Sequence, residues 1–494
     1  MSGPAWAGPA LCAVLDRTAL TRAEVGARFP LFADPGTGTW TTTRRGAWTG
    51  GFWAGLLWLR ARATGTAQDH RAAAECTARL AHWLHADTAT RGLILWYGTA
   101  LAGPALPTAT TASPGPVPQD GTAAAARVDG AAGPGAAFAP GRTAAAAGER
   151  AAESRRAAAS GRAAASGRPT ASDRSAAPSA EDAAPPDRPA GPRPAGPRPA
   201  PEPNPTTPGG RAAPRAECPS VPGHAPGADR TSASPGPTPA DGAPADGTPV
   251  DANALRAEAA RVCLDALDPG LGLVPWGVAF GGPRLVARAD AVPGLVPLLA
   301  AAGPRGAQAA AAHLHRYLDL CRAGAMAWRY VPGSGWCPLA EPAPGWSRGR
   351  AWLLLAVADG LAHAAGADPG VWRPERLRRA AAWLGASPAP GDPLVPPADT
   401  AEPAGPLDTS AAAITAVALL KLAALPGADA GRLTRRATAV LHRLVTAHLT
   451  DGMLLDGCYD AATGTAEQHE LIWGDYFLAL GLAVLTGLVR PGDV

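Results

Sequence analysis

Residues 408–449 read DTSAAAITAVALLKLAALPGADAGRLTRRATAVLHRLVTAHL, a stretch with helical periodicity in both halves. The first half carries an apolar stripe at helical spacing, formed by Ala413, Val417 and Leu420. Asp408 or Thr409 is a natural N-cap for that helix. A second helical segment over 430–449 follows a break that contains Pro and Gly. The stretch therefore predicts a helical hairpin.

Similar helical segments recur along most of the chain. The candidates are 50–63, 68–85, 91–101, 254–267, 290–302, 305–322, 346–364, 374–385, 409–424, 430–449 and 470–488. Gly, Pro or Asp interrupts the chain between them, and no segment alternates with period two, so we expect no sheet. With a weak N-terminal helix the count approaches twelve, which is enough for six hairpins to close into a two-layer ring. We therefore predict an all-α fold of the (α/α)6 barrel type.

One long segment differs in composition from the rest of the chain. From Pro107 to Ala254 there is no Leu, Ile, Trp or Tyr. Such a segment cannot bury enough apolar surface to offset the entropy of ordering it. We predict that residues 104–253 are a disordered low-complexity insertion, and that 1–103 and 254–494 are the two parts of a single barrel.

Charge and cysteine content narrow the classes of function. The chain has 44 basic and 41 acidic residues, so nucleic acid and an anionic membrane are not expected as partners. Seven dispersed cysteines without metal-ligand spacing indicate reduced thiols, and the N-terminus lacks the features of a signal peptide. We therefore expect a cytoplasmic protein. The apolar stretch 471–489 could span a bilayer, but it contains Asp475 and lacks flanking basic residues, which favours a buried helix.

Aromatic, carboxylate and arginine residues cluster where the predicted helices begin. The main clusters are 48–53, 346–352, 408–413 and 469–476, together with Asp290. Aromatic side chains offer flat faces to sugar rings, and carboxylates transfer protons. Core packing explains each tryptophan taken alone, but the recurrence of these clusters at helix starts favours a carbohydrate site. There is no P-loop, no Gly-x-Ser-x-Gly elbow and no His-Glu-x-x-His motif.

Four of these pieces resemble glycoside hydrolase family 88, the unsaturated glucuronyl hydrolases. They are WTGGFWAGLLWL (48–59), WSRGRAW (346–352), DTSAAAI (408–414) and HELIWGDYFLALGL (469–482), and they stand in the family's order. The resemblance implies an (α/α)6 barrel and a hydrolase that requires no metal or redox cofactor. Its partner would be a carbohydrate or a small-molecule glycoside that ends in a 4,5-unsaturated uronic acid. The family protonates this cyclic enol ether at C4 and adds water at C5, unlike the usual two-carboxylate glycosidases.

The resemblance also implies roles for particular residues. Asp290 matches the family's catalytic aspartate, although its position alone fits an N-cap of the 290–302 helix equally well. Trp346 and Arg348 match residues that line the sugar site, and a guanidinium suits either a uronate carboxylate or the orientation of Asp290. The remaining candidates for substrate binding are Trp48, Trp53, Tyr459 and His469. Trp53 also fits the core of the inner ring.

The sequence departs from the family pattern at three places. The position of a second site aspartate falls on Thr90, the glutamine of Arg-Gly-Gln-Ala-Trp is Arg350, and EPAPG (341–345) replaces a Thr-His-Gln-Gly loop. These departures favour a substrate other than the family's usual one. Two alternatives therefore stay open: a sugar-binding relative without catalysis, and another (α/α)6 glycosidase or sugar epimerase. The retention of Asp290 together with the WSRGRAW motif favours an enzyme.

Overall fold

Helices dominate the structure, which is a computed structural model that describes residues 3–103, 251–322, 324–385 and 393–494. In chain order the helices are α1 (Ala7–Val25), α2 (Gly50–Thr64), α3 (Ala67–Ala78), α4 (Tyr97–Thr99), α5 (Ala252–Asp265), α6 (Leu295–Ala300), α7 (Gly303–Cys321), α8 (Ser347–Ala364), α9 (Pro369–Trp372), α10 (Pro374–Gly385), α11 (Thr409–Ala423), α12 (Ala430–Ala447) and α13 (Ile472–Thr486). Of the expected insertion, 104–253, only the last three positions, 251–253, belong to the described residues. Helix α5 begins there, two residues before the expected start at 254.

The helices alternate between an inner and an outer layer. Helix α2, the segment 92–99, and helices α6, α8, α11 and α13 contact one another in turn, and α13 returns to α2. Helices α2, α8, α11 and α13 are buried on nearly all sides, whereas α7, α10 and α12 have one apolar and one polar face. The described residues thus form a closed two-layer helical ring, which confirms the predicted arrangement.

Aromatic side chains fill the middle of the ring. The Phe52 ring lies 5.1 Å from that of Tyr97 and 5.6 Å from that of Phe477, and it stacks on Trp352 at 6.1 Å. These residues come from four different inner segments, so one aromatic cluster joins opposite sides of the ring. Because the axis is packed at this level, a ligand would meet the inner helices at their ends.

Glycines allow the inner segments to approach one another closely. A Cβ atom on Gly51 of α2 would overlap the backbone oxygens of Leu93 and Ile94. Those residues belong to a π-helical turn, Gly92–Trp96, where the sequence predicts regular helix. A Cβ atom on Gly92 would in turn overlap the backbone of Leu295 at the start of α6. Three consecutive inner segments therefore pack backbone against backbone.

Three small sheets connect the helices, so the expectation of no sheet is wrong. Their strand orders are β2-β1-β8, β3-β4-β5 and β6-β7. The strands are β1 (Phe29–Ala33), β2 (Trp40–Thr43), β3 (Val286–Arg288), β4 (Ala327–Val331), β5 (Gly335–Pro338), β6 (Leu449–Thr450), β7 (Met453–Leu454) and β8 (Glu470–Leu471). They are two to five residues long, which is too short for a period of two to appear in the sequence.

The predicted helix over 290–302 is divided in two. Residues Ala289–Ala291 form a 3₁₀ turn, and α6 begins only after Pro293 and Gly294, where the glycine has a φ of 72°. Asp290 therefore lies inside a short turn and not at the N-cap of a long helix. The N-cap predicted before α11 is confirmed, since the Asp408 carboxylate accepts the backbone N–H groups of Ser410 and Ala411.

The apolar C-terminal stretch was expected to be a buried helix, and the cysteines were expected to be reduced thiols. No helix in the described ranges is long and apolar enough to cross a membrane. The stretch forms α13, which packs in the inner layer with Asp475 buried. Free thiols are found at Cys12, Cys76, Cys263, Cys321 and Cys458. Cys337 instead takes part in a disulfide bond, so the expectation of reduced thiols throughout is wrong.

The close approach at Gly51 predicts a large effect of a single methyl group. Gly51→Ala should lower the free energy of unfolding by more than about 2 kcal/mol, because backbone atoms cannot move aside as a flexible side chain does. Gly8→Ala is the matched control, since a Cβ atom there meets open space in α1. The control should leave stability unchanged or raise it by up to about 1 kcal/mol. Urea denaturation of both variants measures the difference, and similar values for the two would contradict the packing described.

Candidate functional site

The starts of the inner helices meet at one end of the ring. Trp48, which precedes α2, lies 4.9 Å from the ring of Trp473 in the first turn of α13. The Arg348 guanidinium in the first turn of α8 lies 5.4 Å from the Trp346 ring and 5.3 Å from the Trp473 ring. We call the group Trp48, Trp346, Tyr459 and Trp473 the aromatic wall.

Hydrogen bonds fix the orientation of the aromatic wall. The Trp473 indole N–H donates to Ser410 Oγ at 3.0 Å, and the Trp48 indole N–H lies near the Tyr459 hydroxyl. Burial raises the pKa of Tyr459 although the nearby Trp48 N–H opposes that shift, so the phenol stays neutral. Trp48 and Trp346 remain half-buried, which leaves aromatic surface at the rim. Such a surface can stack against a sugar ring.

Arg348 lies behind the aromatic wall and is only 5% exposed. Its Nη1 donates to Asp408 Oδ2 at 2.8 Å and to the Cys458 carbonyl at 2.6 Å. Its Nη2 donates to the Tyr459 carbonyl at 2.9 Å. The guanidinium therefore ties the starts of α8 and α11 to the loop that carries Tyr459, and it acts as a positioning residue for that side chain.

A second wall carries the charges. Arg288, at the end of β3, donates to the Asp290 carboxylate from Nε at 3.3 Å and from Nη2 at 3.4 Å. The same guanidinium lies 5.1 Å from the Trp276 ring, and its side chain remains 21% exposed. We call Trp276, Arg288 and Asp290 the charged wall. The two walls adjoin through α8, because the turn Ala289–Ala291 packs against this helix and Arg348 lies in its first turn.

A buried tyrosine, Tyr317, lies near Asp290. Its hydroxyl lies close to the Arg288 backbone but makes no hydrogen bond of good geometry in the part of the chain that the structure describes. Burial raises the pKa of Tyr317 far above its usual value, and Asp290 contributes to that shift as a neighbouring negative charge. A neutral hydroxyl thus lies within electrostatic reach of the candidate acid.

The position of the family's second aspartate holds no carboxylate. Thr90 is buried, and its hydroxyl is 2.9 Å from that of Thr88. The nearby Asp87 is half-exposed and pairs with Arg284 at 3.1 Å. Glu341 is a different acidic neighbour of the charged wall. Its pKa is raised by burial and then by the charges of Asp460 and Asp399, whereas Arg288 lowers it.

Two candidate residues from the sequence lie elsewhere. Trp53 lines a separate cavity between α1 and α2, together with Arg17, Trp40, Glu470 and Asp475. His469 packs edge-on against Phe32 at 5.5 Å, and Phe32 in turn contacts Tyr459 at the same distance. His469 therefore lies one layer behind the aromatic wall. The structure brings together Trp48, Trp346, Arg348, Tyr459 and Asp290.

Sequence reasoning missed Arg288 and Trp276. A signal for Arg288 was present, because residues two apart on an extended segment face the same side, and Arg288 stands two before Asp290. The signal for Trp276 was weaker. Its backbone N–H donates to the Val286 carbonyl across a loop. The helical periodicity of the sequence does not predict this hydrogen bond.

Comparisons with known proteins agree with this architecture. No family model matches the chain, and no curated protein sequence matches it. Solved structures do match. The unsaturated glucuronyl hydrolase from Bacillus sp. GL1 is 17% identical, with a TM-score of 0.57 and 96% of each chain covered. An unsaturated glucuronyl hydrolase specific for heparin is 15% identical, with a TM-score of 0.57, 97% of this chain and 96% of that chain covered.

A third solved structure contains a saccharide. It is a substituted unsaturated glucuronyl hydrolase from Streptococcus agalactiae complexed with dGlcA-GalNAc6S, 13% identical, with a TM-score of 0.54. The alignment covers 97% of this chain and 91% of that chain. At these identities the likeness establishes the fold. The chain has the helical toroid fold of these glycoside hydrolases.

Because Arg348 is buried, replacing its guanidinium group should lower the stability of the protein. Arg348→Lys should lower the free energy of unfolding by about 2–4 kcal/mol, because one ammonium cannot reach Asp408 and both carbonyls together. Arg378→Lys is the matched control, since Arg378 makes an exposed pair with Glu375 and should change stability by less than about 0.5 kcal/mol. Equal effects in urea denaturation would contradict a structural role for Arg348.

The cavity beside Trp53 holds two buried carboxyl groups and one arginine. Glu470 accepts from Arg17 Nε at 3.0 Å and from Arg17 Nη2 at 2.6 Å. Burial raises the pKa of Asp475 well above its usual value, and the Glu470 charge raises it further. The raised pKa favours the protonated form of Asp475, which can then donate a hydrogen bond to Glu470, the carboxylate that Arg17 holds.

The raised pKa of Asp475 predicts that the free energy of unfolding depends on pH. The native pKa of Asp475 is raised, so its contribution is fully present below the unfolded pKa of about 4 and is lost as pH rises toward the native pKa. Asp475→Asn keeps a donor to Glu470 but has no proton to lose. The stability of the variant relative to the parent should therefore rise between pH 5 and 8, by up to about 1.4 kcal/mol per pH unit. Urea denaturation across that range tests this, and a constant difference would contradict it.

Proposed function

We propose that this chain is a glycoside hydrolase of family 88 that acts on glycosides ending in a 4,5-unsaturated uronic acid. The observation that carries the proposal is Asp290, a partly exposed carboxyl group at the rim of a helical toroid, with Trp276 and the aromatic wall beside it. The shared fold with solved unsaturated glucuronyl hydrolases supports it. So do the WSRGRAW and DTSAAAI motifs, whose residues meet in the Arg348–Asp408 ion pair.

In the proposed reaction Asp290 acts as an acid and then as a base. Its carboxylic acid form gives a proton to C4 of the enol ether, and the electrons of the C4–C5 double bond form the new C–H bond. The positive charge is then shared by C5 and the ring oxygen. A water molecule adds to C5 and returns a proton to the Asp290 carboxylate. The resulting hemiketal opens and releases the neighbouring group.

The two walls have different tasks in this proposal. Trp48, Trp346 and Tyr459 form the face against which the unsaturated ring stacks, and the planar ring of an enol ether suits such a surface. Arg348 holds the Tyr459 loop in place from behind. Asp290 reaches the sugar from the opposite side. His469 supports the wall from behind through Phe32, whereas Trp53 lies in the separate cavity beside α1.

A second candidate function is favoured by Glu341. Strands β3 and β5 run parallel on either side of β4, and Leu339 bonds to Ala327, the residue opposite Arg288. Asp290 and Glu341 therefore leave the same end of the sheet, roughly 10 Å apart by strand spacing. A carboxyl pair with unlike environments can hydrolyse an ordinary glycoside with inversion. A saturated uronosyl glycoside distinguishes the two candidates, since only the second activity cleaves it.

The proposal predicts a large loss of turnover in Asp290→Asn. With unsaturated disaccharides from a polysaccharide lyase, loss of the enol-ether absorbance measures turnover, which should fall by about two to four orders of magnitude. The thermal midpoint should barely change, because the Asp290 side chain is partly exposed and, among the described residues, forms an ion pair with Arg288 alone. Asp87→Asn is the matched control, since Asp87 pairs with Arg284 at the surface. Near-normal turnover in Asp290→Asn, or a collapse in Asp87→Asn, would remove Asp290 from the acid role.

A further inference from the structure

We propose that Arg288 recognises the carboxylate of the acidic sugar, so that the carboxylate anchor and the proton donor are two residues apart on one strand end. This inference rests on the proposed function and extends it to the residue that sets the substrate class. In this proposal Arg288, and not Arg348, binds the uronate carboxylate. The geometry of both arginines carries the argument, together with the chemistry of the substrate.

Arg348 is nearly inaccessible and is held by the protein. Its side chain is 7% exposed, and its two terminal nitrogens already donate to Asp408, to the Cys458 carbonyl and to the Tyr459 carbonyl. A substrate carboxylate that paired with the Arg348 fork in place of Asp408 would displace a buried ion pair. Breaking such a pair costs about 3–5 kcal/mol, more than a new charge-assisted hydrogen bond returns.

Arg288 has the opposite properties. Its side chain is 21% exposed, and both of its bonds to Asp290 are long, at 3.3 and 3.4 Å. Nη1 donates no hydrogen bond within the residues that the structure describes. The face of the guanidinium lies against the Trp276 ring, which holds the plane of the fork while its outer edge stays free. A planar fork held in this way suits a carboxylate.

The chemistry of an unsaturated uronate requires the two tasks to be close together. The carboxylate is attached to C5, and the proton must reach C4, so the anchored group and the reacting atom are two covalent bonds apart. Arg288 and Asp290 are already in contact through Nε and Nη2. A carboxylate bound at the free edge of Arg288 therefore brings C4 next to Asp290. The contact between Arg288 and Asp290 therefore suits a substrate whose carboxylate lies next to the atom that is protonated.

Neighbouring groups make the anchor necessary. Glu341 lies within the range of the Arg288 charge, and Asp399 and Asp460 act on Glu341 in turn. Arg288 therefore lies between the Asp290 carboxylate and an acidic group formed by Glu341, Asp399 and Asp460. An anionic sugar would be repelled from this part of the rim unless Arg288 neutralised it. Removal of Arg288 should therefore weaken acidic ligands selectively.

The experiment compares an acidic ligand with its neutral ester. Asp290→Asn protein is the background, because it leaves the ligand unreacted, and the probes are a lyase-derived unsaturated disaccharide and its methyl ester. Calorimetry measures the Kd of each. Arg288→Gln added to this background should weaken the acid about 10–100-fold and the ester by less than about 3-fold. Arg288→Lys should recover part of the preference for the acid, since a point charge lacks the fork.

Arg284→Gln provides the matched control. Arg284 belongs to the same hairpin and is also exposed, but it pairs with Asp87, so the ratio of the two affinities should stay unchanged. If Arg288→Gln weakens acid and ester equally, or neither, Arg288 is not the anchor. This readout is independent of turnover. A failure of Asp290 in the absorbance assay would overturn the proposed reaction, whereas a flat acid-to-ester ratio would overturn only the role of Arg288.

Discussion

The buried ion pair between Arg348 and Asp408 is the interaction on which the rim depends. Both side chains are almost inaccessible, at 7% and 0% exposure. Taking two charges out of water is costly, and the cost is offset only when every donor and acceptor finds a partner. Here Asp408 also caps α11, and Arg348 also holds two carbonyls of the 457–459 loop. One pair therefore fixes the starts of two inner helices and the segment that carries Tyr459.

This arrangement separates two tasks that a single arginine could have combined. Arg348 joins three chain segments, so a ligand that drew its fork away from Asp408 would disturb the starts of α8 and α11. The arginine that stays partly exposed, Arg288, lies on the short sheet opposite the aromatic wall. In the proposed reaction, a rigid scaffold behind the site would reduce the entropy cost of binding, and the partly exposed guanidinium in front of it would supply specificity. The arginine of the WSRGRAW motif, Arg348, thus indicates how the chain segments behind the site are held together more directly than it indicates a residue that binds the ligand.

Sequence patterns predicted the elements that depend on long periodicity and missed those that do not. The inner helices were recognisable because stripes such as Ala413, Val417 and Leu420 extend over several turns. The strands are too short to show a period, so no pattern distinguished β3 or β5 from loops. Asp290 was found through resemblance, but its 3₁₀ turn and its contact with Arg288 depend on the pairing of β3 with β4, which is a tertiary feature. Trp53 was predicted to bind substrate, but it lines the cavity beside α1. The sequence shows that Trp53 lies on an inner helix, but it does not show which side of that helix the tryptophan occupies.

The threonine at position 90 is easier to reconcile with enol-ether hydration than with ordinary glycoside cleavage. In the hydration, Asp290 gives one proton to C4 and receives one from the attacking water, so a single carboxyl group completes the cycle. Cleavage of a saturated glycoside with inversion needs an acid and a base at the same time, on opposite sides of the sugar. Thr90 supplies neither, and its hydroxyl is already bonded to that of Thr88. Glu341 would have to take the second role from an exposed position among other carboxylates. A single carboxyl group, Asp290, in contact with a partly exposed arginine therefore fits a reaction in which the proton is returned to its donor.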